Sequence, residues 1–186
     1  MADIILASAS PRRRELLSTA GVEFTVKVAD VEEIIDEGLS ADGVVMSLAL
    51  QKAQAVAAEN PDSVIIGADT VVVLDGKILG KPESEENAVE MLTALSGRSH
   101  TVYTGVAIIK GDKVKNFCEA TQVEFYDLTK EEIEAYVATK DCMDKAGAYG
   151  IQTNGCVLIR KIDGDYFNVV GLPVSKVYRE LREFNV

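Results

Sequence analysis

Asp69 is the single charged residue in the run VIIGADTVVVL, Val64 to Leu74. A carboxylate in such a run is costly to bury unless a metal, a cation or hydrogen-bond donors meet it. Its place therefore points to chemistry, the structural alternative being a strand-end aspartate bonded to backbone or to Thr70. Lys52 lies four residues after Leu48 and four before Val56, on or near the apolar stripe of a helix, where a lysine either snorkels or faces an anion. Lys81 stands between Gly80 and Pro82, and the proline restricts the backbone of the residue before it.

The stretch LASASPRRREL, Leu6 to Leu16, sets Arg12, Arg13 and Arg14 at an expected helix start. A helix N-terminus carries roughly half a positive charge, so cations there are disfavoured unless something anionic joins them. Backbone N–H groups, Ser8, Ser10 and guanidinium forks together suit a phosphate chain; a solvated basic face pairing with Glu15 is the plainer alternative. Three consecutive helical residues cannot share one face, and Arg14 is expected to face solvent. No Walker-type phosphate loop is present. An acidic patch holds Asp30, Glu32, Glu33, Asp36 and Glu37, and spacing does not choose among Glu32, Glu33 and Asp36. Cations at Arg12, Arg13, Lys52 and Lys81 with carboxylates at Glu33 and Asp69 form the inventory of a Mg²⁺-dependent polyphosphate site, since hard cations take oxygen ligands from carboxylates and substrate phosphates.

Composition narrows the classes. A net charge of −11 works against binding long nucleic acid but leaves a small anion open. The longest apolar runs, such as Val71 to Leu74 and Val106 to Ile109, fall far short of the roughly 20 residues of a membrane span, and Asp3 and the arginines interrupt any leader-like start. Three widely spaced cysteines, Cys118, Cys142 and Cys156, with the single histidine His100, fit neither a disulfide framework nor a zinc site. Free thiols in a reducing cytoplasm are expected.

These residues must be positioned by alternating strands and helices. A strand is expected over Asp3 to Ala7, then a helix from Pro11 to Ala20 with Ser10 as N-cap and Gly21 as its C-terminal stop. A second strand, Thr25 to Val28, precedes a long helix from Ala41 to Glu59 with Val45, Leu48, Ala49, Val56 and Ala57 at helical spacing. Val64 to Leu74 turns through Asp75-Gly76 into Lys77 to Leu79. A helix capped by Ser84 follows, then a hairpin of Thr101 to Ile109 with Val114 to Tyr126. Thr129 and Glu132 form a capping box. The remainder predicts a glycine-rich loop, AGAYG, two strands around Asp163-Gly164 and a last helix capped by Ser175. No repeat or linker appears, so residues 1–186 read as one mixed α/β domain.

With these residues placed, the chain resembles the Maf family of nucleoside triphosphate pyrophosphatases, also described as septum-formation inhibitors. The resemblance rests on LASASPRRRELL, VEE at Val31 to Glu33, QKA at Gln51 to Ala53, GADTVV at Gly67 to Val72, LGKP at Leu79 to Pro82, LSGRSH at Leu95 to His100, DKAGAYGIQ at Asp144 to Gln152 and GLPVS at Gly171 to Ser175. It implies an elongated mixed β-sheet flanked by helices, two lobes around a cleft, as in the inosine triphosphatase-like (Maf/Ham1) fold. It also implies hydrolysis between the α and β phosphates of a nucleoside triphosphate. By motif, Ser8, Arg12, Arg13, Lys52 and Lys81 would hold phosphates, Glu33 and Asp69 would engage a divalent metal (Mg²⁺, with Mn²⁺ or Co²⁺ as alternates), and Asp69 would accept the proton. Lys145 would be a further contact. Arg12, Thr70 and Gln152 match the branch resembling dTTP and UTP pyrophosphatases, Gln152 offering an amide to a pyrimidine edge. The resemblance also implies a homodimer. A nucleotide-binding regulator of cell division without turnover, and a DNA-binding regulator, are the competing classes; the charge and the lack of a basic stripe disfavour the latter.

Overall fold

The computed structural model describes residues 3–28, 32–36 and 38–186. Asp30 and Glu37 of the acidic patch and Val31 of the VEE motif lie outside the described residues.

In chain order the elements are β1 (Ile4–Leu6), α1 (Pro11–Thr19), β2 (Thr25–Val26), α2 (Ala41–Glu59), β3 (Val64–Leu74), β4 (Lys77–Leu79), α3 (Glu85–Leu95), β5 (Ser99–Lys110), β6 (Lys113–Phe125), α4 (Lys130–Ala138), β7 (Ile159–Asp163), α5 (Tyr166–Val170) and α6 (Val174–Leu181). Among the described residues the strands form a seven-stranded mixed sheet in the order β2-β1-β3-β5-β6-β7, with β4 paired to β3. β1 runs parallel to both β2 and β3, whereas β4 and β7 are antiparallel to their neighbours. The expected α/β class, with a mixed sheet and flanking helices, is the one observed.

The chain gathers into two compact units. The first comprises residues 1–70, 104–119 and 171–186, the second 71–103 and 120–170. In the first, Ile5, Ala7, Ala49, Ala53, Val56, Ile65, Ala107 and Ile109 share one buried cluster. In the second, Val72, Leu92, Leu95, Val123, Phe125, Ile133, Tyr136 and Tyr149 belong to another.

Local sequence accounts for most element ends. Pro11 opens α1, and the helix stops in a glycine-terminated reversal: Gly21 at φ +72° donates its N–H to Ser18 and Val22 donates to Leu17, satisfying carbonyls the helix leaves unpaired. Ser84 accepts from the Asn87 N–H, and the Thr129/Glu132 capping box is complete in both directions.

Two expectations are corrected. Asp163-Gly164 does not join two strands: β7 precedes it and helix α5 follows. The Asp165 carboxylate accepts the Phe167 N–H at 2.8 Å, so a helix-initiating side chain outweighs the strand-like composition of YFNVV. The last helix is likewise not capped by Ser175, which lies inside α6 and is exposed. Pro173 holds the cap position and its carbonyl accepts from Lys176 and Val177.

Candidate active site

The first unit brings Glu33, Lys52 and Asp69 together. Gly67 sits in β3 where α2 crosses it, so closely that a Cβ would lie 2.4 Å from the Ala49 carbonyl oxygen and 2.9 Å from the Ala53 Cβ. Only a residue without a side chain permits that approach. Strand alternation puts Asp69, two residues on, on the same face as Gly67, and Lys52 stands beside Ala53 on the helix. Its ammonium lies 2.6 Å from Asp69 Oδ1 and 2.9 Å from Glu33 Oε1, with side-chain exposures of 23% for Lys52, 15% for Asp69 and 45% for Glu33. Gln51, next to Lys52 on α2, holds the residue that follows Glu33 by both its backbone groups: its Oε1 accepts the Ile34 N–H at 3.0 Å and its Nε2 donates to the Ile34 carbonyl at 2.8 Å. Of the three acids left open by spacing, Glu33 is the one seated on Lys52.

Thr70 falls on the opposite face of β3, and there Arg13 meets it. The Arg13 guanidinium donates to Gly171 O at 2.8 Å, Ser8 Oγ at 3.1 Å and Thr70 Oγ1 at 3.0 Å. Burial pulls the Arg13 pKa below its ordinary value, while the charges of Asp69 and Glu33 oppose that shift and Arg12 adds to it. The Thr70 hydroxyl also lies 2.9 Å from that of the fully buried Thr104. Arg12 is half-buried on α1 and Arg14 is exposed. Sequence reasoning missed Gln51, Thr104 and Gly171 as supports, although QKA and GLPVS were both in view.

Lys81, Lys145 and Gln152 belong to the second unit. Lys81 and Gln152 are exposed and Lys145 is buried. The Lys145 ammonium is held by the Asp141 carbonyl, by Asp141 Oδ1 at 3.1 Å and by Asp144 Oδ1 at 2.7 Å. In the loop that follows, the Gly147 N–H donates to the Gly80 carbonyl at 3.0 Å, tying AGAYG to the segment that presents Lys81. Gly147 has φ +69° and a Cβ there would come 2.9 Å from Val72. His100 is core rather than site: 3% exposed, its Nε2 is 2.8 Å from the Tyr149 hydroxyl and its ring meets Phe125 edge-on. Burial lowers its pKa to about 4. Cys118, Cys142 and Cys156 are unpaired, and burial pushes the Cys118 thiol up to about 11, so it holds its proton near neutral pH.

A lysine ammonium between two carboxylates, with a guanidinium one strand residue away, is a place to handle an anion and move a proton. The family model described as Maf-like protein matches residues 3–184. The chain belongs to the Maf-like family. Among curated relatives, the dTTP/UTP pyrophosphatase of Bacillus cereus (strain AH820) is 56% identical over 186 residues, 100% of this chain and 97% of that protein. The dTTP/UTP pyrophosphatase of Bacillus anthracis matches at 56% over the same shares. Among solved structures, a HAM1 protein from Coxiella burnetii superposes with a TM-score of 0.57 at 17% identity, covering 98% of this chain and 100% of that one; this likeness is one of fold. No helix among the described residues is long and apolar enough to cross a membrane.

Proposed function

We propose that this Maf-like chain hydrolyses dTTP and UTP to the nucleoside monophosphate and pyrophosphate, with residues 1–186 acting as one functional domain. Support for the activity and the substrates comes from full-length relatives of that name at 56% identity. The observation that carries the mechanism is Lys52 seated between Glu33 and Asp69.

Nucleoside triphosphate pyrophosphatases generally use a divalent metal, and the donor set fits one. Glu33 and Asp69 converge on a single point with hard oxygen donors. Among the described residues no group of three or more His, Cys, Asp or Glu gathers at this point or at any other, so the two carboxylates would need substrate oxygens to complete the ion's shell. One or two carboxylates completed by substrate phosphates is the usual Mg²⁺ arrangement. Glu33 and Asp69 would hold the ion, with Mn²⁺ or Co²⁺ as alternates, and when bound it supplies neutralisation of phosphate charge and acidification of water.

The chain's own residues do the rest. Asp69 orients a water and takes its proton as the water oxygen bonds to the α-phosphorus. The bond from that phosphorus to the bridging oxygen breaks, and pyrophosphate leaves. Lys52 and Lys81 hold phosphate oxygens, and Arg12, Arg13 and Ser8 receive the rest of the chain at the start of α1. Arg13 also keeps Thr70 in place, so its contribution is part contact and part scaffold. Thr70 and Gln152 face the nucleoside, and Lys145 braces the loop that presents Gln152. The paired acids at an ammonium favour turnover over regulation by binding alone, since a pure binder has no use for a proton acceptor. Free cysteines suit a cytoplasmic setting, and a homodimer is the assembly we assign.

The test is incubation of the full chain with Mg²⁺ and a panel of nucleoside triphosphates including 7-methyl-GTP, with separation of all phosphate products. Pyrophosphate and monophosphate from dTTP and UTP, abolished by EDTA and restored by Mg²⁺, is the expected result. Orthophosphate with a diphosphate would refute the bond assignment, a preference for 7-methyl-GTP the pyrimidine one, and no turnover with any divalent metal the enzymatic reading.

A further inference from the structure

The turn that carries Gln152 is tied down by a network with no contact role in the reading above. Thr153 donates its hydroxyl to Asp141 Oδ2 at 2.6 Å and its backbone N–H to the Gly150 carbonyl at 3.3 Å. Tyr136 donates to the same Asp141 oxygen at 3.0 Å, and its own oxygen accepts the Gly150 N–H at 3.2 Å. The other Asp141 oxygen takes the Lys145 ammonium. One carboxylate therefore gathers the end of α4, the DKAGAYG loop and both ends of the four-residue turn Gly150 to Thr153.

The glycines at the turn have no latitude. A Cβ on Gly150 would lie 2.3 Å from Thr153 Oγ1 and 2.6 Å from Lys145 Cε, and one on Gly155 would lie 2.7 Å from the Gly150 carbonyl oxygen. The backbone on either side of Gln152 is thus clamped while the Gln152 side chain itself stays exposed. A side chain that reads a base edge must be held to a few tenths of an ångström and some tens of degrees by its supports. Those supports are present here without any other evident use for a half-buried aspartate taking three donors.

We infer that Asp141 and Thr153 are positioning residues for nucleobase selection, fixing the Gly150–Thr153 turn so that Gln152 is presented in one orientation. This rests on the assignment of Gln152 to the nucleoside. The distinguishing consequence follows from the network's membership: its named bonds include none of Glu33, Lys52 and Asp69, so loosening the turn changes which nucleotide is held and not how the bond is broken.

The experiment compares wild type with Thr153→Val, Thr153→Ser, Gln152→Ala and the Gln152→Ala/Thr153→Val double variant, measuring kcat and KM for UTP, dTTP and ATP with Mg²⁺. Thr153→Val is expected to raise KM for UTP and dTTP about tenfold, the size of one lost charge-assisted hydrogen bond, with kcat within about threefold of wild type. Its preference for UTP over ATP falls by the same factor. Thr153→Ser restores the wild-type values, and the double variant is no worse than Gln152→Ala, because both changes remove one shared interaction. A wild-type preference in Thr153→Val alongside a lost preference in Gln152→Ala overturns the inference and leaves the Gln152 reading standing. A wild-type preference in Gln152→Ala overturns both. Equal loss of kcat on every nucleotide, or additive losses in the double variant, also overturns the positioning role.

Discussion

Replacing Gly67 by alanine tests the packing that sets Lys52 against Asp69. Two effects of opposite sign compete. Alanine in a strand restricts the unfolded chain and by itself favours folding by about 0.4–1 kcal/mol. Against that, the new methyl would lie 2.4 Å from the Ala49 carbonyl oxygen and 2.9 Å from both the Ala53 N and Cβ, where carbon contacts settle at about 3.5–4 Å. The obstruction is backbone, so no rotamer change relieves it and α2 must withdraw by about 1 Å. Overpacking of this kind costs about 1–3 kcal/mol, and a backbone obstruction belongs at the upper end. The steric effect wins, leaving a net loss of about 2 kcal/mol, or roughly 4–8 °C in Tm for a chain of this length. Lys52 moves with the helix, and a misplacement of about 1 Å near reacting groups costs on the order of 10²-fold in rate. Thermal unfolding by circular dichroism and kcat/KM for UTP are the two readouts. Adding Ala53→Gly removes the 2.9 Å Cβ contact but not the 2.4 Å one, so it recovers only part of either loss. Wild-type Tm and wild-type activity in Gly67→Ala would refute the close approach and the reasoning built on it.

Asp69→Asn keeps the shape of the side chain but not the proton acceptor; kcat is expected to fall on the order of 10²–10⁴-fold, as pyrophosphate release assays would show, and normal turnover removes Asp69 from that role. Arg13→Lys keeps the charge but loses the fork that reaches Gly171, Ser8 and Thr70 together; a loss of about 2 kcal/mol and a Tm lower by roughly 4–8 °C are expected, and an unchanged Tm refutes the scaffold role. His100 titrates at about 4 against an ordinary 6.5 because burial disfavours its charged form. The unfolded chain therefore takes up a proton that the folded one refuses: stability is intact above pH 6.5, falls as pH drops towards 4, and loses on the order of 3 kcal/mol in all. Urea midpoints from pH 7.5 to 4 measure this, and a His100→Phe variant should lack that part of the slope.

Much of this site was legible because its signals are local. Asp69 stood out as one charge in an apolar strand, and the helix bearing Lys52 runs from Ala41 to Glu59 as its periodicity requires. Glu33 was not legible from spacing, because what selects it over Glu32 and Asp36 is a peptide-like grip by Gln51 from 17 residues away on α2. The Asp163-Gly164 pair misled for the converse reason: a turn signal was read correctly, but the Asp165 side chain then started a helix where composition favoured a strand. Lys145, a further contact by the family resemblance, is paired with Asp141 and Asp144, a pairing that the loop's sequence does not announce. Pairwise contacts between distant segments decide such cases, and no local pattern encodes them.

The charge arrangement is the reason for assigning a divalent cation to the Lys52 site. Two carboxylates and one ammonium leave that spot with a net negative charge, set in a chain that carries −11 overall. A polyphosphate brought there would meet repulsion from Glu33 and Asp69 at close range, where partial burial weakens the screening that water provides. With a divalent cation held by the two acids the sign would be reversed, and the Lys52 ammonium would be released to turn from carboxylate to phosphate oxygen. Substrate affinity should therefore depend on the metal as strongly as turnover does. An Asp69→Asn/Glu33→Gln variant, with both carboxylate charges removed, should bind UTP in EDTA more tightly than the wild type does in EDTA while hydrolysing none of it. Calorimetric titration of both proteins decides the matter, and tighter binding by the metal-free wild type would show that the acids do not oppose the substrate.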